Sequence, residues 1–250
     1  MAVRLPPLLT LLLLLVLESG VKAVRLDLFD RKQGIRMGVP SNGCDDGKTG
    51  LSVDYNGSAV EYTCFLPKSK RWRVGLNVVE PVQHCDDLPD DYYPQHYCMN
   101  QSLVYKDTIP TFGDHRPLWG IFGEYQYLPP QRWLHNVEHG SVIMLYHPCA
   151  DYREVDRLKG LVRGCIRKHI ITPYPKLSLL RPLALVAWGC RLEMSHVDPA
   201  TVRSFIREKG LKGPEGDLPK QGQYDFMLLQ RAEPPAGSDI NDSVLCPSQP

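Results

Sequence analysis

Eight cysteines constrain this chain more than any other feature: Cys44, Cys64, Cys85, Cys98, Cys149, Cys165, Cys190 and Cys246. All of them follow an N-terminal leader made of Arg4, an apolar run from Leu5 to Leu17 and small residues ending at Ala23. That order is the pattern of a secretory signal peptide, with cleavage expected after Ala23. The apolar run is shorter than the ~20 residues of a membrane-spanning helix. A chain delivered to an oxidising compartment, with an even cysteine count and no C-x-x-C, is expected to pair its cysteines as disulfides rather than use them as zinc thiolates.

The secretory reading has companions. Sequons at Asn56, Asn100 and Asn241 are candidate glycosylation sites and should be exposed. After residue 23 no segment is apolar enough to span a membrane, because Arg181 and Pro182 interrupt the run ending at Trp188. The expected location is therefore extracellular or luminal. With 29 basic and 28 acidic residues, the chain has no global field to draw it to nucleic acid or anionic membrane. A protein partner, which the sequence does not name, is the expected class.

Residues 24–104 read as an irregular, disulfide-tied N-terminal segment. Strands are expected at "RVGLNVV", "SLVYK", "GEYQYL", "SVIMLY", "HIITPY", "LALVAW" and "CRLEMSHV", where β-branched and aromatic residues concentrate. Two packing helices interleave with them. One starts at Asp151 with Glu154 three residues on and repeats Val155, Leu158, Leu161, Val162 and Cys165 at helical spacing; the other runs from Asp198-Pro199 to Gly210. The order implies an α+β fold, one mixed or antiparallel sheet with two or three packing helices. A helix over 151–163 holds Cys149 and Cys165 ~20 Å apart, too far to bridge. Cys85 and Cys98 are a plausible local bridge. Residues 211–250 read as a weakly ordered tail tethered by Cys246.

Several motifs resolve to nothing. "NGCDDGKTG" is one residue short of a phosphate loop and carries two repelling aspartates. "KSKRWR" is a short basic run, and the aspartates at 86, 87, 90 and 91 lack the spacing of a calcium loop. Neither G-x-S-x-G nor G-x-G-x-x-G occurs.

The function question concentrates in "LHNVEHGSVIMLYHP", residues 134–148. If Pro130 opens a helix closed by Gly140, then Trp133, Leu134 and Val137 share one face, while His135, Glu138 and His139 gather on the other as a chelating face. H-x-x-E-H is also the inverzincin pattern of a zinc hydrolase with the glutamate as base. If the segment is extended, the two histidines lie ~13 Å apart and cannot share an ion. His115, His147 and Glu193 are further candidate ligands.

"IPTFGDH", "LHNVEHGSVIMLYHP" and "RPLALVAWGCRLEMSHVDPATVRSFI", within about residues 105–209, resemble a family of domains of unknown function found in bacterial proteins and in the p53-inducible protein 13 type. The family carries a G-x-H, then H-x-L-E-H-G leading into an apolar strand ending in Tyr, then an A-W-G block. Here these are Gly113 and His115; His135, Glu138, His139 and Gly140; Tyr146; and Ala187-Trp188-Gly189, with Val137 in place of Leu. The resemblance implies a core domain over 105–210, in which His115, His135, Glu138 and His139 form one constellation able to hold a divalent metal such as zinc. It also implies a non-catalytic binding role linked to negative regulation of cell growth. The alternative is a zinc hydrolase with Glu138 as the catalytic base.

Overall fold

The structure, a computed structural model, describes residues 34–67, 71, 78–216 and 221–247. The leader, most of "KSKRWR" and most of the strand expected at "RVGLNVV" lie outside them. Seven strands are present among the described residues: β1 (Val82–Cys85), β2 (Gly123–Tyr125), β3 (Val142–Tyr146), β4 (His169–Pro173), β5 (Leu183–Ala187), β6 (Cys190–Met194) and β7 (Leu228–Arg231). Three α-helices accompany them: α1 (Pro130–Glu138), α2 (Tyr152–Arg163) and α3 (Pro199–Lys209).

The strands form one mixed sheet in the order β1-β6-β5-β3-β4-β2-β7. β4 runs parallel to both β3 and β2, and the other pairs are antiparallel. The central strands β3 and β5 are almost wholly apolar because both of their faces are covered. Val142 and Met144 join one core with Leu158, Val162, Phe205 and Ile206 of α2 and α3. Ile143 and Leu145, pointing the other way, join Trp133, Leu134 and Val137 of α1. The α+β class with one sheet and packing helices is therefore what the sequence patterns imply.

The helix ends follow their sequence signals. Asp151 and Asp198 accept from the backbone N–H of Arg153 and Thr201, and Pro199 opens α3. Glu154, expected to complete a capping box, instead accepts from the backbone N–H of Val197 at 2.5 Å and ties α2 to the chain before α3. "SLVYK" is not a strand but an irregular stretch. Residues 228–231, in a region where little regular structure was expected, form the edge strand β7.

Four disulfides join Cys44 to Cys98, Cys64 to Cys149, Cys85 to Cys190 and Cys165 to Cys246. The local Cys85–Cys98 bridge is thus corrected. The antiparallel register of β1 and β6 sets Cys85 directly opposite Cys190, while Cys98 is held beside Cys44 by the Met99 N–H to Cys44 carbonyl bond. Cys149 and Cys165 stay apart, at the two ends of α2, as the length of that helix requires. In "NGCDDGKTG", Asp46 accepts from Lys48, from Thr49 and from the Thr49 hydroxyl, and Asp45 is buried against Arg132. Asn56, Asn100 and Asn241 are all exposed.

His169 is expected to make the fold acid-sensitive. Its ring is buried on β4 with the Nδ1 proton donated to the Ile166 carbonyl at 2.6 Å, and burial pushes its pKa down to about 4. Above ~6.5 the ring is neutral in both states; as pH falls from there towards 4, only the unfolded chain takes up the proton, so stability falls. The expected loss is up to ~3 kcal/mol. Urea denaturation at pH 7 and pH 4.5 should show His169→Gln losing less stability than the wild type; equal losses would refute it.

Candidate metal centre

Pro129 and Pro130 start α1, since Pro suits the first helical turn. Gly140 ends it at φ 79°, where a Cβ would lie 2.8 Å from the Leu211 Cα, so only glycine fits. Of the two backbones open to "HNVEH", the chain takes the helical one. Its second face, however, is not a solvent face: residues 132–138 are all buried, packed between the sheet and the N-terminal segment.

His135 and Glu138 meet two histidines from outside the helix. Residues 95–97 pair with residue 115: the His115 N–H donates to the Gln95 carbonyl at 3.0 Å and the Tyr97 N–H to the His115 carbonyl at 2.9 Å. That bridge sets His96 beside His115. The ring centroids of His96, His115 and His135 are then 4.5 to 4.8 Å apart. His115 Nε2 lies 3.0 Å from His96 Nε2 and 3.1 Å from Glu138 Oε2, and His96 Nε2 lies 3.7 Å from the same oxygen. One ligand atom from each of His96, His115, His135 and Glu138 falls within 4.8 Å of the others. Ligands ~2.0–2.1 Å from a tetrahedral zinc are ~3.3 Å apart, so these separations suit one ion.

Protons make the same point. The Nδ1 of His115 faces the Gly113 carbonyl at 2.8 Å, and that of His135 faces the Arg116 carbonyl at 2.6 Å. A carbonyl only accepts, so each Nδ1 carries the proton and each neutral ring turns a bare Nε2 inward. Backbone carbonyls orient metal-binding imidazoles in this way. A bare Nε2 cannot donate to Glu138; to do so His115 would have to be doubly protonated, yet burial pushes its pKa down. Burial, then the neighbouring imidazoles, push His135 well below the usual histidine range, and its Nε2 has no hydrogen-bond partner. Burial works to raise the Glu138 carboxyl; His115 and His96 bring it below the carboxylate range only in proton-bearing forms, and with a bare Nε2 facing it a bound cation would take that part. Neutral imidazoles around an anionic carboxylate are the forms that ligate a metal.

Two expectations about membership change. His96 completes the group although the histidine stretch does not contain it. His139, expected among the ligands, lies one turn beyond: its ring stacks on His135 at 5.0 Å and 13°, and its Nδ1 is 3.5 Å from Glu215 Oε2. His147 accepts from the Cys149 N–H at 3.0 Å and Glu193 pairs with Arg191 at 3.0 Å, so neither joins the group. No sequence spacing singles out His96; its only local mark is Cys98 two residues on.

The model of the family described as "Protein of unknown function (DUF3105)" matches residues 96–222. The chain belongs to that family. The match begins at His96 and so contains all four residues of the group. Tumor protein p53-inducible protein 13 of Rattus norvegicus is 34% identical over 69 residues, covering 28% of this chain and 18% of the relative. The protein of the same name from Mus musculus is 32% identical over 69 residues, with the same coverage. The resemblance read from the motifs therefore holds, and the chain spans about a fifth of the length of these curated relatives. No solved structure matches. No helix among the described residues is long and apolar enough to cross a membrane.

Proposed function

We propose that this DUF3105 protein is a secreted or luminal glycoprotein whose core is organised by one divalent transition-metal ion, most simply zinc, and that it acts by binding a protein partner. The observation that supports this is the convergence of three imidazole nitrogens and one carboxylate oxygen within 4.8 Å in the protein interior. Four protein ligands make the closed shell of a structural zinc site, whereas a catalytic site keeps one position for water. The 3.1 Å separation of Glu138 Oε2 from His115 Nε2 supports a ligand role over that of a base set back to act on water. The non-catalytic reading is accordingly better supported than the zinc-hydrolase one. Four disulfides favour folding in an oxidising compartment. A part in negative regulation of cell growth rests on the likeness to p53-inducible protein 13 and is proposed with it.

The test is the metal content of the full chain, expressed through a secretory pathway and purified without chelators. Elemental analysis should find about one ion per chain. His96→Ala and His135→Ala should each lose it, while His147→Ala retains it. Wild-type protein free of stoichiometric metal overturns the proposal.

A further inference from the structure

The four ligands sit at 4% (His96), 0% (His115), 0% (His135) and 4% (Glu138) exposure. An ion bound among them has no open face, so it must pass through other groups to arrive or leave. His139 is buried at 2% exposure, and its Nε2 has no hydrogen-bond partner. A buried polar atom left in that state bears its full desolvation penalty. A phenylalanine there would stack between Trp119, 4.1 Å away, and His135 with no polar atom left unsatisfied.

From the nearly parallel His135 ring the His139 imidazole leads to Glu215, whose side chain is 34% exposed. We infer that His139 and Glu215 form a transfer site through which the metal ion passes between solvent and the four-ligand centre. This rests on the metal reading above.

The loop carrying Glu215 is seated on the end of α1. The Leu211 N–H donates to the Gly140 carbonyl at 2.8 Å and the Glu215 N–H to the Glu138 carbonyl at 3.0 Å. A Cβ at Gly213 would lie 2.1 Å from the Glu138 carbonyl oxygen, so the loop lies directly against that end. The buried Lys168 ammonium, donating to the Gly216 carbonyl at 2.6 Å, places positive charge behind His139. One nitrogen and one carboxylate beside an ammonium hold a cation weakly, whereas three nitrogens and the Glu138 carboxylate hold it tightly. The pair thus passes the ion on by ligand exchange, without change of oxidation state.

A transfer site speeds passage in both directions and leaves the equilibrium where it was. Zinc ion should be mixed with the full-length wild type, His139→Phe and Glu215→Gln, following loading by stopped flow and release by a chromogenic chelator. His139→Phe keeps the ring stack, and Glu215→Gln changes a partly exposed side chain, so the second variant decides the matter if the first fails to fold. Loading and release should both slow by the same factor, about tenfold for each ~1.4 kcal/mol added to the barrier, with the final stoichiometry unchanged. Unaltered rates in a fully loading variant overturn the transfer site alone. Loss of bound zinc at equilibrium in His139→Phe makes His139 a resident ligand and also overturns it. A wild type that takes up no zinc instead overturns the metal reading itself.

Discussion

Replacing Asp45 with alanine is expected to destabilise the protein by ~3–5 kcal/mol, because it leaves a buried guanidinium without its counter-ion. Asp45 and Arg132 are both wholly buried, with contacts of 2.5 Å (Nη1 to Oδ2) and 3.0 Å (Nη2 to Oδ1). Asp45 also accepts from the Leu118 N–H at 3.0 Å, and the guanidinium lies 4.2 Å over the Tyr224 ring. A bidentate pair with these extra partners compensates the desolvation of both charges; removing one partner exposes the cost of the other. Arg132 sits on α1 one turn before His135, so the pair fastens the N-terminal segment to the helix that carries two candidate ligands. The double variant Asp45→Leu/Arg132→Met should lose less than Asp45→Ala alone, since it buries no orphan charge. Urea denaturation with disulfides intact is the measurement. A loss below ~1 kcal/mol for Asp45→Ala would show that solvent reaches Arg132 after all.

What could be read from the residues was what local spacing determines. The apolar repeat Val155, Leu158, Val162 marks α2, and unbroken apolar runs mark β3 and β5 as strands covered on both faces. β1 was not legible: "VQHC" is exposed at all four positions, so no buried face imposes an alternation. The pairing of Cys85 with Cys190 depends on sheet register between strands 105 residues apart, which no local pattern encodes. The sequence marks Asp45 only as a charge that would repel a phosphate, because its partner lies 87 positions away. The site divides in the same way. Helical spacing groups His135, Glu138 and His139 correctly by face, but says nothing of which of them meets His115 and which continues outward. His96 joins through a bridge formed between residues 95–97 and 115, and only the fold brings those together.

Glu138→Gln should separate the two things the Glu138 carboxylate does, and the expected result is unusual in sign. With an ion bound the carboxylate would be a ligand, and chelation would leave it buried beside the bare Nε2 of His115, which cannot donate to it. Stripping the ion should therefore lower stability: at a free metal concentration ~1,000-fold above Kd, binding contributes ~4 kcal/mol. For a domain of this size that corresponds to a fall in Tm of roughly 10 °C. The side-chain amide that Glu138→Gln introduces is uncharged and can donate to the bare Nε2 of His115, so the stripped variant should be no less stable than the stripped wild type. It is at the same time a far poorer ligand, so the variant should bind no stoichiometric metal and its Tm should not respond to chelator. Calorimetry of both proteins with and without chelator gives four values that fix the outcome. A wild-type Tm indifferent to chelation, or a variant that still falls when stripped, would mean that Glu138 is held for a reason other than an ion.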